Sequence, residues 1–138
     1  EIIGDFLEST GLEFREGAWG DPAAVPMWVR RELNRGRGTS YTHQWNTDWI
    51  DPDVKDFSMA SVQSIEEKNA ANELGYRTYR ILGELPGRTP QTPVEEAYES
   101  LQPDEILCPE ITSNATCKAC GLCAGNRVQA KNIVIRPI

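Results

Sequence analysis

Four cysteines near the C-terminal end of the sequence are the residues best suited to chemistry. They follow the pattern C-P-x7-C-x2-C-x2-C and are Cys108, Cys117, Cys120 and Cys123. Cysteine thiolates are ligands of both iron–sulfur clusters and structural zinc. Three thiols at x2 spacing in a glycine-containing loop can turn inward toward one centre, and Cys108 supplies a fourth. The spacing therefore predicts a single four-thiolate metal site.

Three interpretations of these cysteines remain open. Zinc sites commonly use two separate C-x2-C pairs, whereas the two pairs here share Cys120. The x2-x2 run is closer to the ferredoxin pattern, although there the fourth cysteine lies downstream, and here Cys108-Pro109 lies upstream. Two disulfides would need an oxidising compartment and relaxed geometry that such short spacing does not allow. Spacing favours an iron–sulfur cluster, with structural zinc as the alternative.

A second group of polar residues lies at or just beyond the ends of predicted strands. Its members are Asp21, His43, Gln44, Ser61 and Arg80. Ligands of parallel α/β sheets bind beyond the carboxyl ends of the strands, so we expect these side chains to share one cleft. Asp21 and His43 are the candidate catalytic acid–base groups, and Gln44, Ser61 and Arg80 are candidate substrate contacts. Structural roles are the alternative, because Asp21 is a good helix cap and His43 can pack among aromatic residues.

The elements that would position these residues alternate between strand and helix. Alternating apolar residues predict strands at 12–19, 39–45, 57–62, 76–82 and 132–135. Helical spacing and caps predict helices at 2–7, 22–33, 64–74 and 94–101, and glycine and proline predict a loop at 83–93. Repeated β–α alternation predicts an α/β fold, with a parallel sheet or a partial α/β barrel.

Length, composition and charge narrow the class of protein. The 138 residues, 39% apolar and 25% charged, suit one hydrophobic core. We expect an α/β domain over residues 1–101 and a metal-binding segment with a last strand over 102–138. The net charge of −7 disfavours nonspecific nucleic-acid binding. The basic stretch is expected to be a solvated helix end: Arg30, Arg31, Arg35 and Arg37.

The sequence has no feature that directs it to a membrane. No apolar run approaches the roughly 20 residues of a transmembrane helix, and no signal peptide is recognised, so we expect a cytoplasmic protein without a membrane partner. The sequence begins at Glu1 within an amphipathic helix. This start favours a fragment or a processed product of a longer protein.

Five segments resemble one known family. They are residues 19–26 (WGDPAAVP), 41–45 (YTHQW), 59–62 (MASV), 76–80 (YRTYR) and 117–123 (CKACGLC). From about residue 14 onward, the sequence resembles a family of uncharacterised phage, plasmid and environmental bacterial proteins. Longer members carry a further cysteine cluster upstream and are distantly similar to radical-SAM enzymes, which have partial α/β barrels. The resemblance implies that the four cysteines hold an auxiliary cluster, and that this chain alone should not cleave S-adenosylmethionine.

Two functions are therefore predicted. The first is the C-terminal part of an iron–sulfur enzyme, radical-SAM-like, with a small-molecule substrate at the strand ends. The second is a non-enzymatic binding module whose four cysteines hold structural zinc. Colour separates the two, because zinc is d¹⁰ and colourless whereas iron–sulfur clusters absorb visible light.

Overall fold

Seven short strands and six helices alternate in the residues that the computed structural model describes, which are 2–17, 19–35, 37–82 and 94–135. The strands are β1 (Glu13–Arg15), β2 (Arg37–Thr39), β3 (Tyr41–Thr42), β4 (Met59–Val62), β5 (Thr78–Ile81), β6 (Glu105–Leu107) and β7 (Asn132–Ile135). The helices are α1 (Ile2–Thr10), α2 (Met27–Leu33), α3 (Ile65–Glu73), α4 (Val94–Glu99), α5 (Pro109–Ser113) and α6 (Cys117–Cys120). The loop predicted at 83–93 lies outside the described residues. None of the helices just given is long and apolar enough to cross a bilayer.

Every strand pair in the described part of the chain is parallel, which confirms the predicted α/β class with a parallel sheet. Five strands form one sheet in the order β3-β4-β5-β7-β6. Two of these, β6 and β7, come from residues 102–138, so the boundary predicted at residue 101 falls within one sheet. The prediction that residues 12–19 join this sheet is wrong, because β1 pairs with β2 in a separate two-stranded sheet.

The two sheets are separated at Ser40. Its N–H donates to the carbonyl oxygen of Cys123 (3.2 Å), while its own carbonyl accepts from the Met59 N–H (2.9 Å). The extended segment 37–42 therefore changes partners at this residue, from β1 on one side to β4 on the other. A sequence pattern cannot report this change, because it depends on a hydrogen bond to the distant Cys123.

Strand register assigns alternate residues of the five-stranded sheet to two faces. The helix face packs against α3 and α4 through residues that include Ala60, Val62, Leu107 and Val134. The opposite face, here called the cysteine face, carries Tyr41, Met59, Ser61, Tyr79, Ile81, Ile133 and Ile135. The middle strands β4 and β7 are buried along their whole length. Their apolar runs, MASV and NIVI, fit parallel strands that are covered on both faces.

The connection between β6 and β7 runs over the cysteine face. The chain passes from β3 to β4 to β5 in one direction across the sheet, but from β6 back to β7 in the other. Since parallel crossovers are right-handed, the reversed connection is expected to cover the face opposite to α3. Accordingly Cys108 and Cys123 pack with Met59 and Ile133 in one apolar cluster. Topology thus brings residues 108–131, here called the cysteine segment, onto this face.

The basic stretch near α2 is mostly paired, and the expectation of a solvated helix end is wrong for Arg30. This side chain is fully buried, and its guanidinium donates to Glu16 Oε2 from Nε (3.1 Å) and Nη2 (2.7 Å). It also donates to the hydroxyls of Ser40 and Ser58. The buried carboxylate compensates the charge, which allows an arginine in this position. Two neighbours are paired at the surface: Arg31 with Asp53, and Arg35 with Asp5 and Glu8.

Candidate metal centre and adjoining cleft

The four cysteines line one small cavity on the cysteine face. All are free thiols, and the cavity has a volume of about 30 Å³. Cys108 and Cys123 are buried, Cys120 is partly buried and Cys117 is exposed. Among the described residues, no three Cys, His, Asp or Glu side chains stand as a group that could hold a metal ion. The metal-ligand role of the cysteines therefore stays a prediction, while their gathering around one cavity is an observed feature of the structure.

Local sequence chemistry explains how the cysteine segment turns. Cys108 directly follows β6, and its N–H donates to the Val134 carbonyl (2.8 Å), which fixes it at the end of that strand. Thr116 caps α6 by accepting the Ala119 N–H through its hydroxyl (3.2 Å). Gly121 then ends α6 with φ of 66°, a left-handed conformation that glycine adopts without strain. These features bend residues 116–123 into a tight loop whose three cysteines line the cavity.

Burial and mutual proximity disfavour charge on the buried thiols. The pKa of Cys123 is raised to about 11, mainly by burial and also by the other three cysteines, while a hydrogen bond from Tyr41 works in the opposite direction. Burial also raises the pKa of Cys108, with Cys117 and Cys120 adding to the effect. Since like charges repel, several thiolates can coexist here only beside a compensating cation. In the metal-free chain, these two thiols are therefore expected to stay protonated at neutral pH.

Two tyrosines of the sheet, one from β3 and one from β5, lie against the cysteine cavity. The rings of Tyr41 and Tyr79 lie 4.5 Å apart, centroid to centroid, and both line the cysteine cavity. Burial raises the pKa of both hydroxyls, and the nearby Cys123 raises each of them further. Both phenols therefore stay protonated and can donate hydrogen bonds, which makes them suitable neighbours for sulfur. In the sequence, their alternate positions in apolar strands indicated only buried residues.

A larger cleft of about 930 Å³ opens beside the cysteine cavity. The two share part of their lining, namely Thr39, Tyr41, Tyr79, Glu110, Cys117 and Gly121. Two predicted site residues, His43 and Ser61, line the cleft. His43 directly follows β3, and Ser61 is in β4, the strand that pairs with β3. A molecule bound in this cleft would contact the exposed side of the cysteine site.

Asp21 fixes the backbone that carries His43. Its carboxylate accepts hydrogen bonds from the Ala23 N–H (2.9 Å), the Thr42 hydroxyl (2.7 Å) and the His43 N–H (2.7 Å). It also caps the 3₁₀ turn at Pro22–Ala24, as the sequence predicts for a structural role. His43 Nδ1 lies 3.8 Å from Asp21 Oδ2, and its side chain is 69% exposed. Asp21 therefore holds the strand end that carries His43, whereas its distance from the imidazole is longer than a hydrogen bond.

Three of the five predicted residues, Asp21, Gln44 and Arg80, do not line the cleft. Arg80 lies on the helix face, buried, where Nε and Nη2 each donate to the Glu105 carboxylate at 2.8 Å. The expectation of one shared cleft is wrong for Arg80, because alternate residues of a strand face opposite sides and Tyr79 occupies the cysteine face. Gln44 is in the turn after β3, where its N–H donates to the Thr42 hydroxyl (3.0 Å), and it is absent from the cleft lining.

Sequence reasoning also missed the residue that holds the cysteine segment to the sheet. Arg77 immediately precedes β5 and reaches into the segment with its guanidinium, which donates to three backbone carbonyls. The sequence offered only the pattern Tyr76-Arg77-Thr78-Tyr79-Arg80, in which either arginine could bind a carboxylate or phosphate or be a solvated strand residue. No local signal distinguishes them, because their partners are 20 to 54 residues away.

Comparison with known proteins gives no relative for this chain: no protein-family model, no curated protein and no solved structure matches it. The resemblance of the five sequence segments to phage, plasmid and environmental proteins therefore stays a prediction.

Proposed function

We propose that this chain is the C-terminal part of an iron–sulfur enzyme, radical-SAM-like in architecture, that acts on a small molecule bound in the cleft. One observation carries the proposal. The four thiols line a single cavity, and that cavity shares a wall with a cleft large enough for a substrate. Pockets of roughly 300–1,000 Å³ are typical of small-molecule sites.

The residues around the cavity fit a cluster. The ligands of an iron–sulfur cluster are distributed over two or four iron atoms, so they surround a space instead of converging on one ion. The donor set is four cysteines, and hydrogen-bond donors such as the Tyr41 hydroxyl, which faces Cys123, are the groups that tune clusters. When bound, the cluster would supply one-electron transfer. Structural zinc stays the alternative, because the same four thiolates would also suit it.

The cleft supplies the groups that a substrate needs. His43 is exposed in the cleft, where its imidazole could take or give a proton. Ser61, in β4, also lines the cleft, and its hydroxyl can hydrogen-bond a polar substrate group. Tyr41 and Tyr79 line both the cavity and the cleft. A substrate bound in the cleft would thus contact residues that also border the cluster site.

Anaerobic reconstitution tests this proposal. The full chain is incubated with ferrous iron and sulfide, and in parallel with zinc, then desalted and examined by visible absorption and electron paramagnetic resonance. We expect a brown protein whose visible absorption is lost in Cys108→Ala, Cys120→Ala and Cys123→Ala but kept in the control Thr112→Ala, an exposed residue of the same segment. A colourless chain that retains one zinc would show the structural-zinc function instead, and a chain that retains no metal would overturn both.

A further inference from the structure

Arg77 connects the sheet to the part of the cysteine segment that follows the last ligand. Its Nη1 donates to the carbonyls of Leu122 (2.9 Å) and Gly125 (3.0 Å), and its Nη2 donates to the carbonyl of Lys131 (2.8 Å). The guanidinium therefore bridges both ends of residues 122–131, which contain no helix longer than a single 3₁₀ turn. One side chain thus supplies hydrogen bonds that this irregular segment cannot make within itself.

The same segment approaches the sheet closely at Gly125. A Cβ added at this glycine would lie 2.7 Å from the backbone nitrogens of Phe57 and Ser58, and the residue has a left-handed φ of 65°. Only glycine fits such a contact without displacing backbone. The carbonyl that Arg77 holds therefore belongs to a residue that is already pressed against the start of β4, and Cys123 lies two residues before it.

The positive charge of Arg77 suggests a second role beside the thiols, in addition to its hydrogen bonds. No carboxylate of the described residues forms an ion pair with this guanidinium, and its buried Nε has no hydrogen-bond partner. Burial lowers the pKa of Arg77, and Cys123 is the group whose negative charge would oppose that shift. The Arg77 side chain is partly buried, and a metal-bound thiolate beside its Leu122 contact would supply an opposite charge to this unpaired cation.

We propose that Arg77 is the positioning residue of the cysteine site: it clamps residues 122–131 to the sheet and compensates the negative charge of metal-bound Cys123. The clamp acts in the metal-free chain as well, whereas the charge compensation rests on the proposed function. Lysine keeps the positive charge of Arg77 but cannot bridge three carbonyls with a planar fork. Glutamine lacks both the charge and the fork. Arg77→Lys and Arg77→Gln therefore separate the two roles, with Arg31→Gln as a control at an exposed arginine.

Hydrogen exchange in the metal-free full chain tests the clamp. We expect amides of residues 122–131 to exchange at least about tenfold faster in both Arg77 variants, with α3 and β4 unchanged and no effect in Arg31→Gln. Equal exchange in wild type and variants would overturn the clamp. Loss of protection throughout the sheet would overturn it too, because Arg77 would then support the whole fold and not this segment.

Redox titration of the reconstituted chain tests the charge. We expect Arg77→Gln to lower the reduction potential, since a nearby cation favours the more negative reduced cluster, while Arg77→Lys stays near wild type. A purely structural role would shift both variants alike, and an unchanged potential in Arg77→Gln would also overturn the charge role. If the wild-type chain takes up no metal, the proposed function and the charge role fail together, and hydrogen exchange still decides the clamp.

Discussion

The two faces of the five-stranded sheet are made by the same strands but are closed in different ways. On the helix face, the large buried polar side chains have partners: Arg80 is held by Glu105, and Asn132 exchanges hydrogen bonds with Asn72, although the buried Thr78 hydroxyl has none. On the cysteine face, four thiols surround a cavity without forming disulfides, and a cleft of about 930 Å³ opens beside them. The comparison indicates that the helix face is closed by paired groups, whereas the cysteine face keeps the open space in which we propose that a ligand binds.

The largest expected effect is on the helix face, at the Arg80–Glu105 pair. Both side chains are at least 95% buried, and Glu105→Gln would leave a buried guanidinium without its counter-charge. We expect a loss of about 3–5 kcal/mol in the free energy of unfolding, measured by urea titration, as is typical when one partner of a buried pair is removed. A loss below about 1 kcal/mol would contradict the conclusion that paired groups close this face.

The matched control removes both charges. Replacing a buried pair by apolar residues of similar volume is often nearly neutral, so Arg80→Met with Glu105→Met should lose less than the single Glu105→Gln variant. If the double variant is the less stable of the two, the cost lies in packing and not in the uncompensated charge.

The next effect concerns thiol reactivity on the cysteine face. In the metal-free chain at pH 8, iodoacetamide should modify the exposed Cys117 first and the buried Cys123 last. Because only the thiolate reacts, and the pKa of Cys123 is raised to about 11, mainly by burial, its thiolate fraction should be roughly a hundredfold below that of an unshifted thiol. Labelling of Cys123 should accelerate as pH rises toward 11. Mass spectrometry over time measures this order, and equal rates for Cys117 and Cys123 at pH 8 would contradict the structure.

A smaller effect separates the two candidate acid–base residues. Asp21→Ala removes three hydrogen bonds and a helix cap, so we expect a loss of about 1–3 kcal/mol in thermal or urea unfolding. His43→Ala, at a side chain that is 69% exposed, should change stability by less than about 0.5 kcal/mol. Equal losses for both variants would mean that His43 is a structural residue and not a group held ready in the cleft.

Some parts of this architecture follow from the sequence because they rest on local chemistry. Ser64 accepts the Glu67 N–H (3.1 Å) at the start of α3, as the capping box predicts, and Asp21 caps a turn that begins with proline. The parallel sheet follows from strand–helix alternation. The gathering of the four cysteines follows from their spacing, because a loop of x2 repeats with glycine can turn in few ways.

Other parts depend on contacts between distant residues. Arg80 and Tyr79 are neighbours in sequence, but a shift of one residue exchanges the faces on which they lie. The same limit applies to Arg30, which a run of arginines suggests is solvated and which the distant Glu16 holds in the core. Arg77 likewise has no local signature, because its partners are three carbonyls of the cysteine segment. Face, burial and partner are tertiary properties, and the sequence pattern supplied only the residue types.

The central claim, that the cysteine face holds an iron–sulfur cluster, is tested most directly by iron and acid-labile sulfide analysis of the anaerobically isolated full chain. Four cysteine ligands hold either a [2Fe–2S] or a [4Fe–4S] cluster, so the account predicts iron and sulfide in equal amounts, about two to four of each per chain. One zinc per chain without sulfide would contradict the account and assign the four thiols to a structural site.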